Sequence, residues 1–116
     1  MASRHTITIP KDAEANNRFA YGEVVKDDLI QWFLTEEEFR ALWDSGIFSL
    51  INQASNVGLE EYEEEAIEGP QKIHKAIATL EAKDLVGHPK LQKLTNKLIS
   101  LLQEALKREV AIYFWF

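Results

Sequence analysis

A single small α+β domain is what the sequence predicts, and three observations carry the prediction. A β-branched alternation, His5-Thr6-Ile7-Thr8-Ile9, lies near one end of the chain, and a wholly apolar run, Val110 to Phe116, lies at the other. Between them the apolar residues recur mostly at helical spacing, broken by Ser45-Gly46, Gly69-Pro70 and Gly87-His88-Pro89. The 116 residues, 46% of them apolar, suffice for one core and fall short of two. The expected architecture is a small mixed β-sheet of N-terminal strands and a central C-terminal strand, covered by four or five α-helices.

Each element follows from its residues. The first strand ends at Pro10, and the polar stretch Lys11 to Arg18, with Asn16-Asn17, reads as a loop. Phe19 to Val25 reads as a second strand with a bulge at Gly22. Leu29 to Leu34 is a strand feeding a helix, because Thr35 followed by Glu38 forms a capping box. Glu36, Glu37 and Glu38 stand in that helix's first turn, where the dipole favours them. Ile47, Leu50, Ile51 and Ala54 mark the next helix, closed by Asn56-Val57-Gly58. Residues 59–68 read as a short acidic helix. Pro70 opens a further helix with Ile73, Ala76, Ile77 and Leu80 on its core stripe. Residues 90–107 carry the widest apolar arc, from Leu91 through Leu106, and predict the longest helix. Val110 to Phe116 has no polar side, so a central strand buried on both faces is expected.

Charge is distributed unevenly. The net value is −6, yet residues 23–68 hold thirteen carboxylates against Lys26 and Arg40, while residues 69–116 are net basic. An acidic middle disfavours direct binding of nucleic acid, which needs clustered Lys and Arg. It suits a basic protein partner, with self-association as a further option. There is no cysteine, which removes disulfides, thiolate metal sites and cysteine nucleophiles. No apolar run approaches the ~20 residues of a membrane helix. No secretory h-region follows Met1-Ala2-Ser3-Arg4, so a cytoplasmic protein with no membrane contact is expected.

The search for chemistry finds no phosphate-cradling glycine loop, no nucleophile elbow and no histidine pair at ligand spacing among His5, His74 and His88. No catalytic residue, metal or cofactor is therefore assigned. On a helical wheel for residues 59–68, Glu61, Glu64, Glu65 and Glu68 share one face, a candidate binding surface. Glu63 falls on the apolar side, where a carboxylate needs an internal partner, so it is expected as a buried structural carboxylate. With Tyr62 packed inward, Phe48, Trp32 and Trp43 are the expected aromatic anchors beside the glutamates.

Three functional classes fit. The first is a small acidic non-enzymatic protein-binding module; in build it is similar to an immunity or antitoxin-type inhibitor of a basic partner. The second is a small hydrolase or ligand-binding protein using Glu63 and His74. The third is a structural subunit of a larger assembly, using its C-terminal aromatics as an interface.

Overall fold

A computed structural model describes residues 5–116; the reading of Met1 to Arg4 lies outside the described residues. Four strands and five helices follow in the order β1 (His5–Pro10), α1 (Ala13–Ala20), β2 (Leu29–Leu34), α2 (Glu36–Asp44), α3 (Ile47–Ser55), β3 (Glu64–Ile67), α4 (Pro70–Ala82), α5 (Pro89–Arg108) and β4 (Ile112–Trp115). The α+β class is as expected. The sheet, ordered β2-β1-β4-β3, is antiparallel at every pairing rather than mixed. No helix among the described residues is long and apolar enough to cross a membrane.

Local chemistry accounts for the helix starts. Thr35 Oγ1 accepts from the Glu38 N–H at 3.0 Å, and Glu38 Oε1 accepts from the Thr35 N–H at 2.8 Å, which completes the capping box. Proline stands at the first turn of both α4 and α5. Gly46, at φ 83°, turns the chain between α2 and α3 in a conformation that a side chain would strain.

Three readings are corrected. The segment taken as a loop, Lys11 to Arg18, contains most of α1, which Asp12 caps by accepting from the Ala15 N–H at 2.8 Å. Asn16 fixes this polar helix from outside it: its Oδ1 accepts from the Ala111 N–H and the Tyr113 hydroxyl. The strand expected at Phe19 to Val25 is the end of α1 and a loop. Residues 59–68 form a turn and the edge strand β3 instead of a helix. Asn52 holds the start of that segment by accepting from the Leu59 N–H at 2.7 Å and donating to its carbonyl at 3.1 Å. The backbone bonds that a helix would make internally are made across to β4, where Glu65 faces Phe114 and Ile67 faces Ile112.

Strand alternation then decides which side chains meet the core. Ile7, Ile9, Trp32, Leu34, Ile67, Ile112 and Phe114 are buried with the apolar stripes of α4 and α5. The opposite face carries two cross-strand rows: Phe33, Thr6, Trp115 and Glu64, then Gln31, Thr8, Tyr113 and Ala66. On this side α1 covers only one end, through Phe19 packed edge-on to Tyr113 at 4.7 Å. β4 is therefore central, but only one of its faces is fully buried. Phe114 is 1% exposed and Trp115 60%.

Candidate functional site

The turn into β3 gathers the acidic run. Glu60, Glu63, Glu64 and Glu68 are exposed, and Glu65 is half-buried. Glu63 is thus not the buried carboxylate that the helical wheel required. The wheel fails because its 100° step does not apply to a turn and strand. The four predicted binding residues divide accordingly. Glu64 lies beside Trp115 on the open sheet face, whereas Glu65 pairs with Phe114 and sends Oε2 to the Gly58 N–H at 3.4 Å. Glu68 is solvent-facing beyond the strand. Glu61 turns inward to Arg40, with its side chain 20% exposed.

Arg40 joins two acidic stretches that lie far apart in sequence. Its guanidinium binds Glu61 and, at 3.2 Å, Glu36 on the preceding turn of α2. Glu36 Oε2 also lies 2.7 Å from His5 Nε2, and the buried His5 ring stacks on Phe39 at 3.8 Å. The first turn of α2, carrying Glu36 to Glu38, is thereby tied through Glu61 to the turn that precedes β3. The bonds from His5 and then Arg40 hold the Glu36 carboxyl below the usual carboxylate range. Glu37 is lowered by Lys90, 2.7 Å away. The donor atoms of His5, Glu36 and Glu61 lie within 4.8 Å of one another, a spacing that could hold a metal ion. Arg40 binds both of these carboxylates and supplies a positive charge between them.

Tyr62 stands at the tip of the turn in left-handed backbone, φ 68°, and is 70% exposed rather than packed inward. The expected anchors are also reassigned. Phe48 and Trp32 are buried at 1% and 5% exposure, and Trp43 is half-buried against Phe39. The solvent-facing aromatics are Phe33, Tyr62, Trp115 and the outlying Tyr21. Sequence reasoning missed Phe33 and Trp115 although the alternation of LIQWFL and IYFW was available; the register against β1 was the missing information.

The paired use of Glu63 and His74 has no support in this arrangement. His74 is exposed on α4 and lines a cleft of about 650 Å³ with Glu68, and Glu63 is not among the residues of that cleft. Tyr113 lies at the same cleft, its hydroxyl raised by burial and then by the Glu68 charge.

No protein-family model matches the sequence, and neither does any curated protein. Among solved structures, the fold is similar to that of a Neisseria DNA mimic protein, DMP12. The TM-score is 0.62 at 17% identity, over 97% of this chain and 99% of that one. This likeness corrects the expectation of a basic protein partner with nucleic acid outside the account. The protein that shares the fold is named for imitating DNA.

Proposed function

We propose that this protein is a non-enzymatic acidic module that imitates DNA and so occupies the DNA-binding site of a nucleic-acid-binding protein. The observation that carries the reading is the likeness in fold, over nearly the whole of both chains, to a protein named as a DNA mimic. The local geometry is compatible with it. Duplex DNA presents one negative charge per ~1.7 Å of axis, and proteins grip it mainly through those charges. Here Glu60, Glu63 and Glu64 project from the turn and edge strand that Arg40 ties to the acidic start of α2. The immunity-type inhibitor is the special case in which the covered DNA site belongs to a nuclease.

Displacement from DNA tests this directly. Lysate proteins of the source cell are retained on immobilised duplex DNA and eluted with this protein. The protein so released is then purified and titrated. A Glu60→Gln, Glu63→Gln, Glu64→Gln triple variant, neutral but nearly isosteric, should require at least tenfold more protein for the same displacement. Displacement of nothing, or equal displacement by the variant, would remove the proposal.

A further inference from the structure

The open face of the sheet carries an apolar groove that the acidic edge does not explain. Its floor is the outer row Phe33, Thr6 and Trp115, and its wall is Phe19 and Val24 from α1 and the loop after it; the volume is about 630 Å³. Phe33 and Trp115 are each 60% exposed and Val24 is 72%. Isolated exposed aromatics are common on protein surfaces, but two flanking one small residue on adjoining strands form a continuous feature. Strand spacing puts Phe33 and Trp115 roughly 10 Å apart, with Thr6 leaving a slot between the rings. Glu64 follows Trp115 in the same row, one strand further on.

We infer that this groove receives arginine side chains of the nucleic-acid-binding partner, one guanidinium lying on the Trp115 indole and pairing with Glu64. The inference rests on the DNA-mimic reading for the kind of partner, and on the groove for the mode of contact. A planar guanidinium stacks on an aromatic face and meets a carboxylate with two parallel donors, whereas an ammonium offers a hydrated point charge. No residue lining the groove among the described residues is cationic, so its charge complement comes from outside. A second copy of this chain brings the wrong sign: face-to-face packing would set the Glu64 borders of two acidic molecules against the same surface. Carboxylates around an aromatic floor give an interface a charged rim and an anchoring centre. The rim imitates phosphate; the groove adds discrimination between arginine and lysine.

Labelled deca-arginine and deca-lysine peptides, titrated by fluorescence anisotropy, provide the test. Wild-type protein should bind deca-arginine at least fivefold more tightly than deca-lysine. Trp115→Ala should erase that preference while keeping the parental melt, and Trp115→Tyr should restore it. Equal binding of the two peptides, or a preference that survives Trp115→Ala, would overturn the inference. So would a concentration-dependent dimer in sedimentation equilibrium that Trp115→Ala abolishes, because the face would then belong to a second copy. In the DNA-displacement assay, Trp115→Ala should weaken the wild-type effect. An unchanged effect in a protein still sensitive to the glutamate triple variant sinks the groove but leaves the mimic standing, whereas no displacement by wild type sinks the mimic.

Discussion

Asp28 shows how one residue fixes a loop. It is 2% exposed at the entrance to β2, and Arg18 grips both its oxygens at 2.7 and 2.9 Å, with Lys11 at 3.5 Å. The Arg18 bond holds the carboxyl below the usual aspartate range against the opposing cost of desolvation. The folded protein therefore keeps Asp28 ionised at pH values where the unfolded chain takes up a proton. Its contribution to stability is complete above about pH 4, the ordinary aspartate value, and fades as pH falls through the lower folded value. Asp28→Asn should lower the urea midpoint at pH 6, with the gap from wild type narrowing by pH 3; a constant gap would contradict the linkage. None of this was legible beforehand, because Arg18 sits in a stretch read as a loop and Asp28 in the unassigned link before the strand that begins at Leu29. The surface aromatics misled for a related reason. Composition counts Trp32 and Trp115 alike, and only the register sends one inward and the other to solvent.

At the scale of elements, signals written into neighbouring residues proved readable and those requiring a distant partner did not. The capping box at Thr35, the proline start of α4 and the leucine arc of α5 all lie within a turn or two of the residues they organise. β3 is the opposite case. Its Glu-rich stretch keeps helical spacing at Leu59, Tyr62 and Ala66, yet pairing with β4 overrides that local preference. α1 likewise depends on Asn16 reaching Ala111 and Tyr113. β4 gives a sharp test, since adjacent residues point to opposite sides. Phe114→Ala should destabilise by about 3–5 kcal/mol, the usual cost of emptying a buried aromatic site. Trp115→Ala should cost less than about 1 kcal/mol, because most of that ring is already in water. Thermal melts of the two variants decide it, and similar losses would mean the register is wrong.

For the whole molecule, the sequence showed that the charge was concentrated but not how the chain would arrange it. Arg40 joins acidic stretches some twenty residues apart, and the net-basic residues 69–116 include α4 and α5, which pack on the buried face of the sheet. Such a surface should associate faster at low salt, with a rate that falls steeply as salt is added. At 17% identity the resemblance to the Neisseria protein lies in the backbone and was hidden from residue patterns.

The strand order β2-β1-β4-β3 also governs when the molecule comes into being. β1 and β3 are each bonded to β4, so Thr6 waits for Trp115, more than a hundred residues later. Such long-range closure slows folding, because loop entropy is lost before the contacts that compensate for it can form. A chain halted on the ribosome before Ile112 should have β1 and β2 available to pair, but no lattice on which β3 can settle. Pulse proteolysis of stalled chains should find the Glu60–Glu68 segment cleavable until residues 112–115 have emerged, and protected soon after. Protection appearing earlier would show that the acidic edge assembles without its neighbour. Otherwise the acidic edge and the aromatic groove are completed in the same late event, when β4 takes its place between β1 and β3.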